Sequence, residues 1–140
     1  MPRIPINPPA EFEKVRGFLE KVEAEMRRLE NAPPAPRTQE NFWPIFQLHH
    51  QRTRHIYNLN AKGEISKDLY RYLSENMFVD HGLACYWKKM GYENLCCVRC
   101  IQPTDSKRGN VCVCRVPQRS IDADQVVRCD NCGCMGCSGY

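Results

Sequence analysis

The chain has no run approaching the ~20 consecutive apolar residues of a membrane-spanning helix, which argues for a soluble protein. Met1 to Asn7 hold one arginine and prolines instead of the apolar stretch of a secretory signal, so export is not expected. No histidine follows His81, which leaves a RING-type ubiquitin ligase without the histidine that its later ligands require. Neither a long basic run nor a recognition-helix pattern is present to support direct reading of DNA. Residues 85–140 are poor in large apolar side chains and could not fold on hydrophobic burial alone. At 140 residues the chain fits one small domain, or a helical domain with a metal module, and not a large enzyme.

What the chain does have is cysteine: ten in all, nine of them between Cys96 and Cys137. They run Cys96-Cys97-x-x-Cys100, Cys112-x-Cys114 and Cys129-x-x-Cys132-x-Cys134-x-x-Cys137. A Cys-x-x-Cys turn curls so that both sulfurs reach one metal at about 2.3 Å, and three such turns make zinc the leading reading. Without export these thiols meet a reducing compartment, where clustering means metal, and an odd count suits disulfide pairing poorly. An iron–sulfur or redox role is a minor alternative.

Each structural zinc takes four ligands, and nine cysteines fit neither two separate sites nor three. If three thiolates each bridge two metals, the bonds just fill three tetrahedra. The adjacent Cys96 and Cys97, and the short Cys112-x-Cys114 and Cys132-x-Cys134 spacings, favour bridging. Two arrangements therefore stay open: a three-zinc cluster on all nine cysteines, or two mononuclear sites with one cysteine spare. Binding worth on the order of 10 kcal/mol or more per structural zinc would supply the stability that residues 85–140 lack. That region is expected to be unfolded without metal.

The formal net charge of +4 suggests a nucleic-acid partner, but it counts the cysteines as neutral. Nine thiolates on three divalent ions carry a net charge of about −3, which nearly cancels it. Contacts to nucleic acid would therefore come from local patches.

Ahead of the cysteines the pattern is helical, so the expected fold class is mainly α: an N-terminal helical region followed by a small irregular zinc module. Residues 1–37 read as an extended arm, an amphipathic helix and a proline-rich linker; residues 38–92 as a helical domain; residues 93–140 as the Cys-rich module. Phe12, Val15, Leu19, Val22, Met26 and Leu29 fall on one helical seam, with Glu23 and Arg27 paired on the other side. That seam packs either on its own domain or in a partner's groove. Asn31 and the Ala-Pro-Pro-Ala-Pro run of residues 32–36 end the helix, and residues 38–140 are expected to fold without the segment before them.

A second helix is expected from between Thr38 and Pro44 to about Ala61, with Phe42, Ile45, Phe46, Ile56 and Leu59 as its apolar face. Its centre, His49 to His55, is wholly polar, and a binding surface using His50, Arg52 and Arg54 is the favoured reading, ahead of a solvated face or histidine ligands. Ser66 is expected to cap a third helix, with a stripe of Leu69, Tyr70, Leu73 and Met77, and Asp80 a fourth, with Leu83, Tyr86, Trp87 and Met90. Cys85 lies opposite that last stripe and reads as a bystander. Lys88, Lys89, Lys107, Arg108 and Arg119 are the candidate phosphate contacts near the zinc module, while Arg99 and Arg115, beside ligands, can bind either phosphate or thiolate.

These motifs bear a family resemblance. Trp43-Pro44-Ile45-Phe46, His49-His50-Gln51, the block from Trp87-Lys88-Lys89 through Cys96-Cys97-x-Arg99-Cys100-Ile101-Gln102, Cys112-x-Cys114-Arg115-Val116-Pro117 and Cys132-Gly133-Cys134-x-Gly136-Cys137 resemble the bud-site-selection-thirty-one family, also called the G-ten proteins. The resemblance covers roughly residues 42–139 and includes all nine clustered cysteines. It implies a nuclear, non-enzymatic subunit of activated and catalytic spliceosomes, with a zinc cluster that presents a rigid scaffold to small nuclear RNA, pre-mRNA and several proteins. It implies no membrane and no small-molecule substrate. Residues 1–37 are similar only in carrying a helix, and Asn58-Leu59-Asn60-Ala61 stands in place of a more aromatic and basic segment. From another class, the residues alone also admit a zinc-dependent transcriptional coregulator, another zinc-binding interaction protein, or a thiolate zinc store.

Overall fold

A computed structural model describes residues 4–34, 36, 38–102, 112–125 and 127–138. Four α-helices carry the fold: α1 (Glu13–Glu30), α2 (Trp43–Ala61), α3 (Lys67–Glu75) and α4 (His81–Trp87). Among the described residues there is no strand, and the Cys-rich region holds only 3-10 turns, as the expected mainly α class requires. Among the described residues no helix is long and apolar enough to cross a membrane. The chain divides into two compact units, one of Met1–Pro33 with Leu48–Ala84, the other of Pro34–Gln47 with Cys85–Tyr140.

In the first unit the seam of α1 goes where its spacing points. Phe12, Val15, Leu19, Val22 and Met26 are buried and Leu29 half-buried, each aliphatic burial contributing about 1.5–3 kcal/mol. The Phe12 ring meets Tyr72 edge-on at 6.2 Å and Phe78 at 6.1 Å, so the helix packs on its own chain. Glu11 accepts hydrogen bonds from the Ser66 amide at 2.8 Å and from its hydroxyl, tying the start of α1 to that of α3. The expected Glu23–Arg27 pair forms at 2.6 Å. Asn31 closes the helix, its side-chain amide donating to the Arg27 carbonyl at 2.9 Å. With its seam shared in this way, α1 is packed into the core of the first unit.

The polar centre of α2 is explained by inward-facing hydrogen bonds. Arg52 and Thr53 are buried beside Ile56. Arg52 donates to His49 Nδ1 at 3.2 Å, which leaves the ring proton on Nε2 to meet Asp80 Oδ2 at 3.1 Å. The Thr53 hydroxyl donates to the His49 carbonyl at 3.0 Å and accepts from the Asp80 amide at 3.3 Å. Of the expected apolar face only Ile56 is fully buried, and Phe42 is exposed.

Caps set the short helices. Ser66 Oγ accepts from the Leu69 amide at 3.1 Å and Asp80 Oδ1 from the Leu83 amide at 3.1 Å, both as expected. The far ends differ from expectation. Past Glu75 the Phe78 amide reaches back to the Leu73 carbonyl at 2.9 Å and the Met77 amide to Ser74 at 3.2 Å, the paired closing bonds of a left-handed cap. Met77 takes that left-handed position, with φ 65°, and is exposed; Phe78 and Val79 turn into the core instead. Similarly α4 stops at Trp87, so Leu83 and Trp87 are buried while Met90 is exposed.

Candidate metal centre

In the second unit two turns start the sulfur cluster. Trp87, buried, donates its indole N–H to the Leu95 carbonyl at 2.8 Å, which sets the chain leading into Cys96 and Cys97. A 3-10 turn over Val98–Ile101 brings Cys100 back beside them, with Sγ 3.3 Å from those of both Cys96 and Cys97. Backbone bonds tie the separate segments together: the Cys112 amide to the Cys100 carbonyl at 2.8 Å, and the Cys137 amide to Cys114 at 2.8 Å. Gly133, at φ +74°, lets the Cys129–Cys134 turn close, with its amide donating to the Cys129 carbonyl at 3.0 Å.

No disulfide links these cysteines, and eight of the nine are buried, Cys134 being half-buried. Three sets of four have all their sulfurs within 4.8 Å of one another: Cys96, Cys129, Cys132 and Cys134; Cys96, Cys114, Cys134 and Cys137; Cys96, Cys100, Cys114 and Cys129. A zinc tetrahedron with bonds of about 2.3 Å has edges of about 3.8 Å, and the sulfurs of Cys96 and Cys114, Cys96 and Cys129, and Cys114 and Cys137 lie 3.8, 3.8 and 3.6 Å apart. The donors therefore fit a tetrahedral thiolate-bound metal. Cys97 and Cys112 lie outside the three sets but touch them, at 3.3 Å from Cys100 and 3.9 Å from Cys129. Exposed Cys85 belongs to none of the sets.

Crowded thiols cannot all ionise without a compensating cation. Hydrogen bonds from Cys100 and Cys96 hold the Cys97 thiol down to about 4, and those from Cys100 and Cys114 hold Cys112 near 7. Cys96 is driven strongly upward, first by its hydrogen bond with Cys100.

Around the sulfurs stand donors that the cysteine pattern does not announce. Asn131 gives its side-chain amide to Cys100 Sγ and its backbone amide to Cys129 Sγ, both at 3.3 Å. The Arg115 guanidinium binds the Cys137 carbonyl at 2.8 Å, Cys137 Sγ at 3.3 Å and the Gly91 carbonyl at 2.6 Å, and lies over the Tyr92 ring. Of its two expected roles it takes the thiolate one. Arg99 is exposed and stacks over Phe46 at 5.8 Å. From the first turn of α2, Trp43 donates its indole N–H to the Asp130 carbonyl at 3.2 Å and Gln47 its amide to the Cys132 carbonyl at 2.8 Å.

The basic residues separate. Lys88, Lys89 and Arg119 are exposed, Lys89 resting over the Tyr86 ring at 4.7 Å. Lys107 and Arg108 lie outside the described residues. His50 and Arg54 are half-buried, Arg54 over Tyr57, whereas Arg52, expected on the same surface, is only 4% exposed because it serves the His49 network.

The family description Pre-mRNA-splicing factor BUD31 matches residues 1–139, so the likeness reaches the N-terminal helix as well as the cysteines. The chain is 45% identical over 139 residues to Protein BUD31 homolog of Caenorhabditis elegans, covering 98% of this chain and 95% of that one. It is 46% identical over 143 residues to Pre-mRNA-splicing factor cwf14 of Schizosaccharomyces pombe, covering 99% and 98%. With Pre-mRNA-splicing factor BUD31 of Saccharomyces cerevisiae it shares 40% over 154 residues, again 99% and 98%.

Proposed function

Because the chain belongs to the BUD31 family of pre-mRNA-splicing factors, we propose that it is a structural, non-enzymatic subunit of activated and catalytic spliceosomes, working in the nucleus. The observation that carries the reading is the gathering of cysteines scattered from Cys96 to Cys137 into one buried thiol set, in a chain similar to splicing factors along residues 1–139. Three zinc ions on Cys96, Cys97, Cys100, Cys112, Cys114, Cys129, Cys132, Cys134 and Cys137 satisfy the ligand count. Apart from the Cys96 common to all, the four-sulfur sets overlap pairwise in Cys134, Cys114 and Cys129, which supports these three as the bridging thiolates of such a cluster. The metal supplies folding energy here, and its all-thiolate shell leaves no position for a reacting water.

As functional segments, residues 1–37 form an arm and helix, 38–92 a helical body and 93–140 the zinc module. Lys88, Lys89 and Arg119, with Lys107 and Arg108, are the phosphate contacts toward small nuclear RNA and pre-mRNA; His50 and Arg54 form a second patch toward RNA or neighbouring proteins, with Arg52 holding it from beneath. Native affinity purification, with RNA and proteins identified and zinc counted per chain, tests the reading. Spliceosomal proteins, small nuclear RNA and three zinc ions are the expected result. Two zinc ions would refute the bridged cluster, and purification without splicing components would refute the assignment.

A further inference from the structure

The first turn of α2 lies far from the cysteines in sequence, yet it grips the turn that carries three of them. Trp43 and Gln47 donate to the carbonyls of Asp130 and Cys132, at 3.2 and 2.8 Å. Between those two bonds the Trp43 ring packs against Gly133: a Cβ added there would collide with Cε3 and sit 2.7 Å from Cδ2 of the indole. With φ at +74°, Gly133 is also the one residue type that holds this backbone without strain. The same turn presents Cys129, Cys132 and Cys134, and its Asn131 bonds the sulfur of Cys129 and, beyond the turn, that of Cys100.

We propose that Trp43 and Gln47 are positioning residues of the zinc centre: by clamping the Cys129–Cys134 turn they slow metal release, and metal release in turn frees the start of α2. The clamp rests on the zinc reading above and adds a claim about residues that ligate nothing. Its chemistry is that of outer-shell support. A ligand held in one orientation by packing and hydrogen bonds binds more tightly than a mobile one, and loss of such support typically lowers metal affinity by about 10–100-fold. Coupling must be mutual, since whatever Trp43 contributes to metal retention the metal contributes to the order of Trp43.

The test uses the full zinc-loaded chain and follows zinc transfer to a chromophoric chelator, together with the near-ultraviolet dichroism of the indoles. Trp43→Ala and Gly133→Ala should each speed zinc release by about 10–100-fold, and Gln47→Ala by less. Trp43→Phe, which keeps an aromatic face but lacks the N–H donor, should fall between Trp43→Ala and the unaltered chain. Leu73→Ala, which opens a cavity in the core of the first unit, controls for general instability and should leave release unchanged. In the unaltered chain the indole dichroism should decay at the rate of zinc loss. Release from Trp43→Ala at the unaltered rate, or equal acceleration in Leu73→Ala, would overturn the inference while leaving the cluster in place. An unaltered chain that holds no zinc would overturn the cluster and the clamp together.

Discussion

Asp80 offers a quantitative check on the helical unit, because its carboxylate does two jobs that substitution can separate. One oxygen caps α4 through the Leu83 amide at 3.1 Å; the other meets His49 Nε2, also at 3.1 Å. Asp80→Ala removes both: about 1 kcal/mol for the cap and about 1 kcal/mol for the side-chain bond. His49 is about one-third exposed and can turn to water, so no penalty for a stranded buried donor is added. The total near 2 kcal/mol corresponds to a fall in melting temperature of roughly 7 °C for a chain of this size. Asp80→Asn keeps a good cap through its one oxygen but turns an amide NH2 toward the His49 Nε2–H and loses that bond, so it should cost about 1 kcal/mol, half the loss of Ala.

The His49 hydrogen bond, more than any other group, holds the Asp80 carboxyl below the ordinary carboxylate range. The folded chain therefore takes up that proton less readily than the unfolded one. The contribution is complete above the unfolded value near 3.9 and is lost as pH falls through the lower folded value. Melting followed by helical dichroism at neutral pH, with both variants zinc-loaded, decides the matter. Equal losses for Asn and Ala would show that the cap is not formed, and no loss in Ala would refute the whole arrangement.

Three further outcomes are expected. Gly17 is exposed in α1 with nothing within 4 Å of an added Cβ, so Gly17→Ala should stabilise the chain by up to about 1 kcal/mol in chemical unfolding. Arg52 Nε is buried without a hydrogen-bond partner, so Arg52→Met should change stability by less than about 1 kcal/mol and leave the salt slope of RNA binding unaltered, whereas Lys88→Ala with Lys89→Ala should flatten it. Deleting residues 1–37 strips Phe12, Val15, Leu19, Val22 and Met26 from the core, and the truncated chain should lose cooperative melting; retained cooperativity would show that α1 is separable after all.

The features that the sequence discloses are those with a local signature. A 3-4 spacing reveals α1, a hydroxyl or carboxylate before an apolar run reveals the caps of α3 and α4, and short cysteine spacings reveal the sulfur set. What escapes depends on groups that meet only in the fold. His49, Arg52 and Thr53 read as part of a polar binding surface until Asp80, from a distant segment, supplies their partner. Met77 carries no glycine signal for a left-handed cap, so its helical phase falsely extends the stripe of α3. Asn131 stands between two cysteines as an ordinary turn residue, and nothing nearby tells that its amide reaches Cys100. Gln47 likewise has no local reason to seek the Cys132 carbonyl.

The contact between Trp43 and Gly133 also fixes an order in which the two positions can change. While the indole lies on the glycine, any side chain at 133 must displace it, so substitution there is closed. A smaller residue at 43 would clear that space, yet the positive φ at 133 would still disfavour a Cβ. Position 43 can therefore drift first without opening 133 fully, whereas 133 cannot drift first at all. In a library that randomises both, tryptophan at 43 should recover with glycine at 133, while glycine at 133 should tolerate a wider range of partners. The asymmetry makes the glycine a gate on this part of the chain's mutational history, although it presents no side chain of its own.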